Sequence, residues 1–181
     1  MTPRSASVRK VPPVTLQEAA LHADALAQEG SERELADLRA KWGDDLESAA
    51  RSADFRERAV AFRAIGQFRW RQKEELLRRG LDDESPAARG SALLSLELLS
   101  RDHPSTVNSV RSLLHNLAAV DGNAAVRRLA IVCLRNGSPQ RETIVLLDGL
   151  AEDDEAEPEL RQAAAKVSQT LKRKPKPQPK K

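Results

Sequence analysis

A basic residue, a small residue three positions on and an apolar residue seven positions on recur along this chain at nearly constant intervals. Arg58, Ala61 and Ile65 form one copy, Arg89, Ala92 and Leu96 the next, and Arg127, Ala130 and Leu134 the third. Arg161, Ala164 and Ser168 form a weaker fourth. The four arginines are 31, 38 and 34 residues apart. Positions i, i+3 and i+7 share one face of a helix, so each copy marks an amphipathic helix. A second pattern alternates with the first. Leu113, Leu114, Leu117, Ala118 and Asp121 spell L-L-x-x-L-A-x-x-D, and Leu146, Leu147, Leu150, Ala151 and Asp154 repeat it 33 residues later. Leu76, Leu77, Gly80 and Glu84 make a degenerate copy. Each unit has room for two helices of about 12–15 residues and two short turns, which is the signature of a repeat array.

Composition agrees with helices. The chain has 181 residues, of which 3% are aromatic and none is Tyr. A β-sandwich or barrel needs many aromatic and β-branched residues, whereas Ala, Leu, Arg and Glu, dominant here, favour helix. The expectation is an all-α protein. Thr15 with Glu18, and Ser31 with Glu34, have the spacing of capping boxes, and Gly30 between them is a helix stop. Pro86, Pro104, Pro139 and Pro158 mark helix starts or turns. Helices are predicted at 15–29, 31–42, 44–52, 54–66, 70–80, 85–99, 104–119, 123–135, 138–151 and 157–171, with Gly43 and Asp44 kinking or breaking the second stretch.

The period, the helix pairs, the acidic turn and the Arg-x-x-Ala-x-x-x-Leu spacing resemble the HEAT-repeat family of α-solenoids over about residues 52–171. The resemblance implies a short α-solenoid of HEAT-like helical hairpins. It also implies that the helix arginines and turn acids stack neighbouring repeats, a structural role for Arg58, Arg89, Asp121, Arg127, Asp154 and Arg161. On this basis Asp82 or Asp83 would support Arg89 or its neighbour, and Asp121 would support Arg127 or Arg161. The organisation expected is a disordered basic arm at 1–14, capping helices at 15–52, repeats at 53–171 and a disordered Lys/Pro tail at 172–181. Alternating prolines keep that tail out of the helical region.

The net charge of +3 is the sum of opposites. Residues 1–14 and 172–181 hold nine basic residues and no acid, which leaves 21 basic against 27 acidic residues between them. One cysteine, Cys133, excludes an internal disulfide. No run reaches the roughly 18 apolar residues of a membrane helix, and no apolar secretory core opens the chain. A cytoplasmic protein is expected. The 18 Arg, three Lys and many Ala of residues 15–171 suggest a GC-rich, bacterial genome.

Catalytic chemistry finds little support. His22, His103 and His115 stand outside any zinc spacing, and the chain has no His-Glu dipeptide of the kind that iron-binding HEAT-like enzymes use. No phosphate-binding glycine loop occurs. Asp102-His103 reads as a polar turn rather than a dyad, and Cys133 as a packed small residue rather than a nucleophile. No enzyme and no cofactor is expected. Binding is better supported. Residues 51–81 carry nine basic and four acidic residues around Phe68 and Trp70. The candidate binding residues are Arg56, Arg63, Arg69, Trp70 and Arg71. The leading expectation is a non-enzymatic scaffold or adaptor that binds another protein through the helical-repeat surface. The alternative is nucleic acid, bound through this segment and the basic tails, which also suit an acidic surface. A glycosylase or lyase of HEAT-like type is a third possibility, poorly served by two Trp and no Tyr. The acidic run Asp148–Glu159 has the charge to attract the chain's own basic tail.

Overall fold

The computed structural model describes residues 12–175, and the expectations for 1–11 and 176–181 lie outside them. Among the described residues the fold is all-helical, with no strand. The helices are α1 (Leu16–Glu29), α2 (Glu32–Ala50), α3 (Phe55–Gln67), α4 (Glu74–Leu81), α5 (Pro86–Ser100), α6 (Pro104–Asn108), α7 (Arg111–Val120), α8 (Ala124–Leu134), α9 (Arg141–Glu152) and α10 (Pro158–Arg173). A short 3-10 turn, Arg71–Lys73, leads into α4.

Local chemistry sets the ends. Thr15 and Glu18 form the capping box of α1, and Gly30 closes the helix with φ 75°, a left-handed conformation that favours glycine. The second box does not form. Ser31 gives its own N–H to the carbonyl of Leu26, which completes the closure of α1, and its hydroxyl caps nothing. Helix α2 runs unbroken through Gly43 and Asp44, in place of the two predicted pieces. A glycine inside a helix costs about 1 kcal/mol, and here the missing side chain makes room for Trp70. A Cβ on Gly43 would sit 3.1 Å from the Trp70 ring. Conversely, the predicted helix 104–119 is split at Ser109–Val110. Ser109 turns its hydroxyl onto the carbonyl of Thr106, and Asn108 spends its side chain on Ser138 and Arg111. Such side chains compete with helix continuation.

The helices pack as two rows. In one, α1 lies on α3, α3 on α5, α5 on α8 and α8 on α10. In the other, α4 packs on α5, α7 on α8 and α9 on α10, while α2 covers α1 and α3. The core between the rows is rich in alanine: Ala61, Ala64, Ala88, Ala92, Ala130 and Ala164 are all fully buried, beside Phe62, Phe68, Leu93, Ile131 and Leu147. Small residues let the helix axes approach. At Gly66 the approach is tight enough that an added Cβ would meet the Ser95 backbone at 2.7 Å. Ser95 Oγ accepts the Gly66 N–H at 3.0 Å and donates to the Phe62 carbonyl at 2.6 Å.

Candidate functional site

Two of the repeat arginines, Arg58 and Arg89, use both edges of their guanidinium groups. Arg58 donates to the carbonyls of Ser52 and Ala53 at the start of its own helix and, at 2.7 and 2.9 Å, to both carboxylate oxygens of Asp83 in the next turn. Arg89 repeats this with the carbonyls of Asp83 and Glu84 and the carboxylate of Asp121, at 2.8 and 2.9 Å. Asp83 is thus bound from both sides, which ties three successive turns into a ladder. Bidentate guanidinium–carboxylate pairs fix geometry as well as charge. The register corrects part of the expectation: Asp83 and Asp121 each pair with the arginine of the unit before them, so Asp83 holds Arg58, the repeat arginine next to Arg89, and Asp121 holds Arg89 rather than Arg127 or Arg161. The Arg58 pair and a hydrogen bond from Ser85 hold the Asp83 carboxyl below its usual range, against the opposing pull of burial.

The ladder then stops. Asp121 also accepts the N–H of Asn123, and Asp83 that of Ser85; in the last turn Asp153, not Asp154, accepts in this way, from Glu155. The acidic turn before α10 therefore shifts the structural register by one residue from the sequence repeat. Asp154 is an exposed partner of Arg161 at 3.2 Å, and Arg127 donates to the Ala118 carbonyl instead.

The five candidate binding residues do not share one surface. Arg56 stands exposed at the start of α3, over the ring of Phe55 at 5.0 Å. Arg71 follows the other end of that helix, a separation of about 17 Å at 1.5 Å per residue, and faces Glu74 and His103. Its salt-bridge partner is Glu74, at 3.9 Å. Arg69 and Trp70 build the fold. Arg69, at φ 51°, binds Asp24 at 2.8 Å and the Gly66 carbonyl at 2.9 Å. Arg39 in turn donates to the carbonyls of Phe68 and Arg69. Trp70 lies half-buried between Phe68, Gly43 and Lys73. Arg63 lines a depression. It is half-buried and has no carboxylate partner among the described residues.

That depression, of about 250 Å³, lies between α1 and α3, with Leu21 and Val60 on its walls and Ser91 of α5 at its edge. Ser91 also borders a second hollow of about 460 Å³ between α5 and α8, lined by Ala87, Gly90, Leu94 and Leu129. The two hollows adjoin at Ser91 and together form a shallow, mainly apolar trough over α1, α3, α5 and α8. Leu21 is 60% and Leu94 40% exposed in it. Gly90 has no packing reason to be glycine, since a Cβ there meets only Leu129, at 3.7 Å. The sequence pattern marked the inner face of these helices; the outer stripe, two and five positions after each repeat arginine, was legible only as the residues left over.

His103, His115 and Cys133 each contact other groups of the fold. His103 precedes α6 in the turn and lies 3.3 Å from Arg71 Nη1. His115 Nε2 is 2.9 Å from Thr143 Oγ1, which accepts from Arg111 at 2.8 Å, so α7 and α9 share a half-buried polar network. Burial, and then the Arg111 charge, lower the His115 pKa against the weaker opposing effect of Glu142. Unfolding restores the ordinary value near 6.5, so the folded state loses stability as pH falls below about 6.5. Urea melts at pH 7.5 and 5.5 are expected to show this loss for the natural protein and a smaller one for His115→Gln; equal losses would refute it.

Cys133 is fully buried, with its thiol against the Leu93 carbonyl, and burial pushes its pKa far up. Dithionitrobenzoate is expected to leave it untouched in the folded protein and to titrate it in guanidinium; rapid native labelling would show an open site. Among the described residues no group of three metal-binding side chains occurs, and no helix is long and apolar enough to cross a membrane. The chain matches no family model, and no curated protein is significantly similar to it.

Proposed function

We propose that this chain is a short α-solenoid of HEAT-like hairpins that binds another protein, without catalysis, along the outer side of its α1–α3–α5–α8 row. The solenoid reading rests on the repeated order of contacts, in which each hairpin packs on the next in one direction, and on the Arg–Asp ladder. The binding reading is carried by one observation, the trough of two hollows adjoining at Ser91, with exposed Leu21 and Leu94 and with Arg63, which has no carboxylate partner among the described residues. Exposed, contiguous apolar surface on a folded chain marks an interaction site, and repeat arrays bind along such extended faces.

The use of Arg69 and Trp70 inside the fold weighs against a phosphate-tracking surface built from residues 51–81. The test compares natural protein, Leu94→Glu and Val120→Glu as bait in the source cells. Val120 is 70% exposed and outside the trough. A bound protein lost with Leu94→Glu and kept with Val120→Glu is expected; recovery with both variants refutes the trough. Binding of generic duplex DNA or RNA that weakens steeply with salt would replace this reading with the nucleic-acid one.

A further inference from the structure

The last hairpin carries a second unsatisfied surface. Within the described residues α10 is followed by no further helix, although α4 packs on α5, α7 on α8, and α9 on both α10 and α7. A hollow of about 540 Å³ lies between the start of α9 and the end of α10. Leu171 forms its floor, and Ile144 and Val145 form one wall. Val145 is 61% exposed.

Its rim is cationic. Arg141 has no carboxylate partner among the described residues, Lys172 reaches Asp148 at 2.8 Å, and Lys174 donates to the carbonyls of Arg135 and Gly137 at 2.6 and 2.9 Å. No acidic side chain lines the hollow. From Lys166 to Lys181 the chain holds seven basic residues and no acidic one. The protein's own tail is therefore mismatched in charge to the hollow at its root. The acidic turn is no nearer to it, since the turn precedes α10 at Pro158 and the tail leaves beyond Arg173, about 24 Å away along a 16-residue helix.

We infer that the α9–α10 end docks an acidic amphipathic helix of a partner protein. The occupant is helical because a helix there continues the row of α7 and α9. It is acidic because apolar anchors on Ile144, Val145 and Leu171 would bring side chains one turn away against Arg141 and Lys172. Charge complementarity at the rim orients such a segment and rejects basic ones. This surface is separate from the α1–α8 trough, so either can fail alone.

The probe is a synthetic amphipathic helical peptide with leucine on one face and glutamate on the other, titrated into the full chain while methyl resonances are followed. Shifts at Ile144, Val145 and Leu171 are expected, with affinity at least about tenfold weaker in Val145→Glu and in Arg141→Glu, and unchanged in Leu94→Glu. Both positions are exposed, and melting curves check that the variants fold; Val145→Ser is a milder second test. The same peptide with lysine for glutamate is expected not to bind. No shift at these methyls, equal binding of the lysine peptide, or loss of binding in Leu94→Glu overturns the site. So does a preference for phosphatidylserine vesicles over the peptide.

Discussion

Gly66→Val is expected to destabilise the protein by about 3 kcal/mol, the upper range for forcing extra atoms into a packed contact. The cause is backbone, not side chain. A Cβ at position 66 would lie 2.7 Å from the Ser95 Cα, so α3 and α5 must move apart, and a rotamer change offers no relief. The same movement would break the hydrogen bond from the Gly66 N–H to Ser95. The control is Gly90→Ala, in the same fold but on open surface, where the nearest atom to the new Cβ is 3.7 Å away. There the gain in helix propensity should stabilise by up to about 1 kcal/mol. Equilibrium urea denaturation distinguishes the two. A cost below about 1 kcal/mol for Gly66→Val would show that the α3–α5 contact is loose.

Asp121→Ala is expected to cost about 3 kcal/mol, because it leaves the Arg89 guanidinium without a counter-charge in a nearly enclosed site. The side chains of Arg89 and Asp121 are 16% and 4% exposed, so water replaces little of what is lost. The pair itself is not worth that much. Removing both charges, as in Arg89→Met with Asp121→Leu, should recover most of the stability, since well-packed apolar residues often match a buried pair. A double variant as unstable as Asp121→Ala would assign the loss to the turn rather than the charge. Asp121 also accepts the Asn123 N–H, so a small residual cost is expected. Asp154→Ala, which removes an exposed carboxylate, should change stability little.

These two sites show where the sequence is legible. Helix positions follow from capping and periodicity: Thr15, Gly30, Pro86, Pro104 and Pro158 mark ends that the fold uses. The buried faces follow too, because Ala61 and Ile65, Ala92 and Leu96, and Ala130 and Leu134 lie within 2% of full burial. What misled was local similarity without distance. Asp121 and Asp154 close identical motifs, yet one is locked under Arg89 and the other projects into solvent, because α9 ends one residue earlier in the motif than α7 does and presents Asp153 in the equivalent place. Arg69 and Trp70 likewise share a charged segment with Arg56 and Arg71, and only the chain reversal at φ 51° turns them inward.

The sequence by itself determined the helical class, the period and the inner face of each helix, since these depend on spacing along one helix and on backbone preferences a few residues wide. The tertiary structure alone decided which arginine meets which aspartate, which glycine is a contact and which is open surface, and where apolar side chains remain exposed. These depend on distances between helices some 30 residues apart, and a shift of one residue in a turn is enough to change them.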